Sequence, residues 1–242
     1  MSRHIHITQC RDKNEALEKS ARDLLAIVLK LKHKNKPVLL LLSGGSALAI
    51  VNQVNTEIFD RRVTIGVLDE RYSTDEHINN FRLLTQTKTY TIIEQRGCPI
   101  IDSRVRSDES QEELAQRIEK DLRAWVRDNK DGAIVVTQGI GPDGHTSGIM
   151  PFPEDPKRFQ KMFNDEKIWI QAYDATGKNA YPKRVTTTLP FMRMVNHSIL
   201  FACGQDKLKA LHDSLSNKNT ASTPACIINE MKDVRIFTDL PI

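Results

Sequence analysis

Asp143 and His145 stand two residues apart in the stretch GIGPDGHTSG, Gly139 to Gly148. A carboxylate that close to an imidazole can fix the tautomer of the ring and stabilise its charged form, which is what a general base requires. The same residues also satisfy G-x-G-x-x-G, the glycine pattern that opens a dinucleotide-binding helix. That pattern needs a long helix after its third glycine and an acid about 20 residues further on, at the end of the next strand. Here HTSGIMPFPEDP follows instead, and Gly148, Pro151, Pro153 and Pro156 deny it a helix of useful length. The stretch reads as a tight glycine loop that presents a candidate base. A structural loop histidine is the other reading.

Two further stretches could meet such a base. Ser43, Gly44, Gly45 and Ser46 follow an apolar run and precede the helix-like ALAIVNQV, so they offer backbone N–H groups, hydroxyls and a helix N-terminus to a phosphate or an oxyanion. A plain strand-to-helix turn would look the same. The Gly-Lys-Ser/Thr ending of a P-loop is missing, which disfavours nucleoside-triphosphate chemistry. In DERYSTDEHINN, Asp69, Glu70 and Arg71 fall at the end of a strand, where burial is costly unless the charges pair or meet a ligand. An internal bridge between Asp69 and Arg71 is one resolution, and Arg71 stabilising a developing oxyanion is the other. His77, among polar neighbours, reads as a surface residue.

The elements that must position these residues alternate. Ala16, Leu17, Ala21, Leu24, Leu25, Val28 and Leu29 fall at helical spacing, and PVLLLLSGG follows as a buried strand stopped by glycines. VTIGVLDE, residues 63–70, is a second such strand. ESQEELAQRIEKDLRAWVRDN places Leu114, Ile118, Leu122, Trp125 and Val126 on one helical face, and GAIVVTQG is a third strand. KIWIQAY and HSILFACG read as further strands, the latter followed by the helix-like QDKLKALHDSL. Apolar strands without polar alternation, separated by amphipathic helices, predict a mostly parallel α/β sheet covered on both faces. Ligands bind such sheets beyond the carboxyl ends of the strands. The loops found there are SGGSAL, DERYSTDEHINN, GIGPDGHTSG, KRVTTTLP and CGQDK.

Composition excludes more than it selects. With 242 residues, 39% of them hydrophobic, the chain can bury one sizeable core, and no repeat, linker or low-complexity segment divides it, so a single domain over 1–242 is expected. A net charge of +4, from 35 basic against 31 acidic residues, exerts little pull on a polyanion, so no nucleic-acid partner is expected. The basic tract LKLKHKNKP, residues 29–37, falls where a helix should end and complements its dipole. Cys10, Cys98, Cys203 and Cys226 are far apart without metal-ligand spacing, and the histidines are dispersed, so the reading is reduced thiols and no metal site. No stretch approaches the apolar length of a membrane span or a signal peptide, which makes the cytoplasm the expected location. Ser46, Thr146 and Ser147 are not in a G-x-S-x-G elbow, so a covalent serine mechanism is not expected. Nothing in the pattern demands obligate assembly; a monomer or weak homodimer is expected.

In order, LSGGS, LDER with NN shortly after, GIGPDGHTSG, RVTTTLP and GQDKLKAL resemble, over about Leu42 to Leu211, the 6-phosphogluconolactonase family within the wider glucosamine-6-phosphate isomerase/deaminase superfamily. The D-E-R and D-G-H-T loops are the most specific pieces. The resemblance implies a Rossmann-like fold and hydrolysis of a phosphosugar lactone, in the oxidative pentose phosphate pathway, with no organic cofactor. It makes His145 the base that activates water, oriented by Asp143, with Asp69 and Arg71 at the reacting end. Gly44, Gly45 and Ser46 would hold the phosphate together with Arg184 and Lys207, and Asn80 would belong to the binding site. By their neighbours alone Arg184 and Lys207 read as exposed surface charges. Three segments depart from the family pattern: Ala47-Leu48 replaces Thr-Pro, Asn79-Asn80 replaces Ser-Asn in a shortened segment, and TSGIMPF replaces T-A-S-L-F-P. The resemblance leaves two alternatives. A deaminase/isomerase would have tyrosine in place of Arg71 and an acid in place of Met150, and a sugar-phosphate sensor would bind without turnover.

Overall fold

Val38–Leu42 is five aliphatic residues in succession, all buried, the pattern of a strand covered on both faces. The computed structural model describes residues 4–75, 77–216 and 219–242. Its strands are β1 (His4–Gln9), β2 (Val38–Leu42), β3 (Val63–Val67), β4 (Asp69–Arg71), β5 (Ala133–Gly139), β6 (Ile170–Asp174), β7 (Lys183–Thr187), β8 (His197–Phe201) and β9 (Asp233–Thr238). Six of these form a parallel sheet in the order β1-β9-β8-β5-β2-β3. The alternation of side chains along a strand divides the core into two layers. Leu39 and Leu41 of β2 join Ile134 and Val136 of β5 on one face, while Val38, Leu40 and Leu42 join Ala133 and Val135 on the other.

The helices are α1 (Lys13–His33), α2 (Ala49–Gln53), α3 (Asn80–Thr85), α4 (Lys88–Gln95), α5 (Gln111–Asp128), α6 (Pro156–Phe163), α7 (Leu189–Met194) and α8 (Leu208–Ser216). Asp12 caps α1 by accepting from the Glu15 N–H, and Lys30, Lys32 and His33 fill its last turn, so the basic tract does end a helix. A reciprocal capping box between Ser110 and Glu113 starts α5, which buries Leu114, Ile118 and Leu122 as its periodicity predicts. Trp125 is only half-buried, and its Nε1 donates to Thr64 Oγ1 at 3.0 Å. All four cysteines are buried free thiols. Among the described residues no helix is long and apolar enough to cross a membrane.

Several elements differ from the expectation. HIHITQ and DVRIFT, not foreseen as strands, form β1 and β9, because both mix polar and apolar residues where a buried parallel strand would be continuous. The predicted strand 63–70 is two strands: β3 ends at Val67, and β4 leaves the parallel sheet to pair antiparallel with β7. KRVTTTLP, expected as a loop, begins with β7 itself. KIWIQAY contributes β6, which lies in the same small sheet, ordered β4-β7-β6.

The excursion of β4 decides which way its charged residues point. In a strand, alternate side chains face opposite sides, so Asp69 and Arg71 share one face with Arg184 of β7, and Glu70 takes the other. The Glu70 side chain is buried and accepts hydrogen bonds from the N–H groups of Arg71, Asn80 and Phe81 and from Ser103 Oγ. One carboxylate thereby joins β4, the N-terminus of α3 and the segment after Ile101. Burial pushes the Glu70 carboxyl up to about 7, against the pull of these donors. Once it is protonated, Ser103 Oγ is the partner able to accept its proton, because the backbone N–H groups only donate.

Glu70 therefore binds a proton more tightly in the folded chain than in the unfolded one. Its linkage favours the fold as pH falls from about 7 towards the ordinary carboxyl range. Glu70→Gln, whose amide must turn an NH₂ towards backbone donors, should cost about 1–3 kcal/mol. The stability of the wild type relative to this variant should rise as pH is lowered from about 7.5 to about 5, measured by urea denaturation at each pH. A difference that is constant with pH would refute the linkage.

Candidate active site

Beyond the carboxyl ends of β2 and β5 the chain leaves a cavity of about 230 Å³. Residues 43–46 after β2, Gly139, Ile140, Gly141, Pro142, His145 and Ser147 at the end of β5 and beyond it, and Lys207 after β8 line it, and the small sheet contributes Asp69, Arg71 and Arg184. The five loops singled out by their position after strands do converge.

The glycine loop is held open by close packing. Gly45 has φ +60, a left-handed conformation that other residues adopt only under strain. A Cβ on Gly44 would lie 2.4 Å from Asn80 Oδ1, so only glycine lets the loop lie against that side chain. Residues 45–48 form a short 3₁₀ turn before α2, and Gly45 and Ser46 at its start line the cavity. Lys207 Nζ donates to Ser46 Oγ at 3.3 Å. Burial pushes the Lys207 ammonium below its ordinary value, partly countered by Asp206, so its charge is poorly solvated and well suited to an anion.

On the opposite wall, Arg184 and Asp69 form a buried ion pair at 2.6 Å. The Asn80 side chain donates to the Asp69 carbonyl at 3.0 Å. Asp69 is thus bridged to Arg184 and not to Arg71: the register sets Asp69 opposite Thr186 and Arg71 opposite Arg184, so Asp69 reaches the arginine diagonal to it on the same face of the strand pair. Arg71 forms no ion pair among the described residues.

His145 and Asp143 lie at the cavity mouth, with Nδ1 and Oδ1 2.5 Å apart. Burial would raise the Asp143 carboxyl, but the hydrogen bond and charge of His145 prevail and hold it below its ordinary value. A carboxylate only accepts, so the imidazole presents Nδ1–H to Asp143 and leaves the lone pair of Nε2 for another proton. Gly141 makes room for the ring: a Cβ there would lie 2.1 Å from His145 Nδ1 and Cε1. Ser147, two residues on, is held at φ +52. Buried side-chain atoms without partners gather here, namely Arg71 Nε, Asn80 Oδ1, Ser147 Oγ and Arg184 Nε. Unsatisfied buried polar atoms are costly, and their concentration in one cavity is what a site for a polar ligand requires.

Residues 11–237 match the family model described as glucosamine-6-phosphate isomerases/6-phosphogluconolactonase. The chain belongs to that family. A 6-phosphogluconolactonase of Xylella fastidiosa is 27% identical over 243 residues, covering 98% of this chain and 93% of its own. One from Bos taurus is 31% identical over 171 residues, 69% of this chain and 61% of its own. The solved structure of 6-phosphogluconolactonase from Trypanosoma brucei superposes with a TM-score of 0.76 at 17% identity, covering 98% of this chain and 97% of that one. That from Shewanella baltica gives 0.74 at 16%, with 98% and 97% covered. These two likenesses show the Rossmann-like α/β fold expected from the sequence.

Within this family fold, every residue expected at the site except Asp143 lines the cavity, and Asp143 reaches it through His145. Arg184 corrects the reading of its neighbours: it is 4% exposed, not a surface charge, because β7 turns it onto Asp69. Lys207 is half-buried rather than free in solvent. His77 is exposed, as its polar neighbours suggest. Thr146 is buried and donates to Gln138 Oε1 and the Gly139 carbonyl, a bond that shapes the loop. Sequence reasoning missed the roles of Glu70, Ser103 and Gly141, and the contact between the Tyr181 ring and Arg71. Only Glu70 left a signal, as an acid beside two charges at a strand end. Among the described residues no group of three or more His, Cys, Asp and Glu side chains is arranged to hold a metal ion.

Asp69→Ala should leave Arg184 buried without its counter-charge and destabilise the chain by about 3–5 kcal/mol, read by urea denaturation. A loss within the range of a surface pair would mean that water or another group already satisfies Arg184. Gly141→Ala should displace the His145 ring while leaving the midpoint of unfolding close to wild type. Unchanged imidazole resonances in the variant would show that the loop absorbs the added methyl.

Proposed function

We propose that this chain hydrolyses 6-phosphoglucono-1,5-lactone to 6-phosphogluconate, in the oxidative branch of the pentose phosphate pathway, with His145 as general base. The observation that carries the reading is the Asp143–His145 pair at the mouth of a cavity whose floor is a glycine loop and a desolvated lysine. Membership of a family that includes 6-phosphogluconolactonases supports the substrate.

The steps follow from the groups present. The N–H groups of Gly45 and Ser46 with Lys207 Nζ hold the phosphate dianion, since a helix-terminal turn and an ammonium together suit that charge. Nε2 of His145 takes a proton from water as the water oxygen bonds to the lactone carbonyl carbon, and Asp143 stabilises the imidazolium. The carbonyl becomes an oxyanion, which meets the Arg71 guanidinium. When the tetrahedral centre collapses, the bond to the ring oxygen breaks and that oxygen takes the proton back from His145. The new carboxylic acid ionises to solvent. Asp69 holds Arg184 and, with Asn80, shapes the wall; in this reading Arg184 reaches the substrate through its unpartnered Nε.

A deaminase/isomerase fits less well. Arg71 stands where the resemblance would require tyrosine, and Met150, where it would require an acid, is fully buried with its N–H on Tyr173 Oη. No carboxylate at that position can serve His145 as a proton partner.

Acid release from freshly made lactone, compared with the spontaneous rate, tests the proposal. His145→Ala should lower kcat by a factor of about 10²–10⁴, and Lys207→Met should raise KM about tenfold or more. A folded wild type that binds 6-phosphogluconate yet gives only the spontaneous rate would make the chain a sensor and remove the role of His145.

A further inference from the structure

The two arginines of the small sheet face each other in register, Arg71 on β4 and Arg184 on β7, and they are held by opposite means. Arg184 is neutralised by Asp69 at 2.6 Å. Among the described residues no carboxylate pairs with Arg71 and its Nε has no hydrogen-bond partner; its Cζ lies 4.6 Å from the ring centroid of Tyr181. Tyr181 belongs to the connection between β6 and β7, and at 39% exposure it is a large aromatic left open to solvent. The connection is braced where it needs to be. Ala175 N–H donates to the Pro182 carbonyl at 2.8 Å, and Tyr181 N–H to Asn179 Oδ1 at 3.0 Å.

A ring face attracts a guanidinium through its quadrupole but takes none of its in-plane donors and none of its net charge. A carboxylate would orient the same group only by neutralising it. Exposure of an aromatic side chain at this spot has a physical reason if the ring's task is to hold a cation that must stay unpaired. We infer that Tyr181 is a positioning residue that keeps Arg71 ordered and charged for the oxyanion of the reacting carbonyl and, after hydrolysis, for the product carboxylate. This inference rests on the lactonase reading of Arg71. Tyr181 itself does not line the cavity and acts through Arg71.

Because the interaction matures only as negative charge develops, its loss falls on kcat more than on the KM of the neutral lactone carbonyl. Tyr181→Ala should lower kcat about three- to tenfold and weaken 6-phosphogluconate binding by a similar factor, with KM little changed. Tyr181→Phe should restore both, since the ring and not the hydroxyl is the agent. In an Arg71→Met background Tyr181→Ala should have no further effect. The assay is lactone turnover together with calorimetric titration of 6-phosphogluconate on the full chain. Wild-type values for Tyr181→Ala, failure of Phe to rescue, or additivity with Arg71→Met would each overturn the inference while leaving the lactonase reading intact. A wild type without turnover would refute that reading, and product affinity would then decide: loss in the Ala variant with rescue by Phe sustains the role of Tyr181, and no loss ends it. A wild type that neither turns over the lactone nor binds the product overturns both.

Discussion

The carboxylate of Glu70 is the interaction on which the geometry of the cavity hangs. It sits behind the wall, on the face of β4 turned away from the cavity, and collects donors from β4, α3 and the Ser103 segment. Each of those donors belongs to a piece of chain that presents something to the cavity or braces what does. Arg71 is the next residue along β4, and Asn80 contributes both its backbone N–H to Glu70 and its side chain to Asp69. A buried acid is expensive, and this one is held by satisfying the carboxylate fully while burial raises its proton affinity. A polar cluster satisfied in this way is rigid, because losing any one donor leaves a buried acceptor unmatched.

From that anchor the site is built by two uses of strand parity. In the parallel sheet, parity sorts aliphatic side chains into the two layers of the core and leaves the loop ends free. In the small antiparallel sheet it sorts charge, with Asp69, Arg71 and Arg184 to the cavity side and Glu70 to the interior. The main sheet supplies the glycine loop and the histidine loop from its carboxyl ends, where backbone N–H groups are unspent. The small sheet supplies the two arginines, while Lys207 follows β8 of the main sheet. Neither could form the site alone.

The cations are tuned by their surroundings rather than by number. Lys207 is partly desolvated beside Ser46, Arg184 is neutralised by Asp69, and Arg71 keeps its charge against an aromatic face. The His145 imidazole is arranged in the same economical way. Asp143 and Gly141 constrain it from two sides, one by a hydrogen bond and the other by the absence of a side chain.

Local pattern by itself determined the helices α1 and α5, the buried strands β2, β3 and β5, and the loops after them, because burial on both faces writes a continuous apolar run and a helix writes its period. It also ruled GIGPDGHTSG out as a cofactor cradle, since prolines forbid the helix that a dinucleotide needs. The order of the loops carried the family. What the tertiary structure alone decided was pairing. That Asp69 meets Arg184 and not Arg71, that KRVTT is a strand, that Glu70 turns inward and that Tyr181 covers Arg71 all depend on the register between β4, β6 and β7. All three are short, and β4 lies far from β6 and β7 in the chain. Their charged and polar residues show no periodicity of their own, so only the antiparallel register, set by the packed fold, tells which residues face each other.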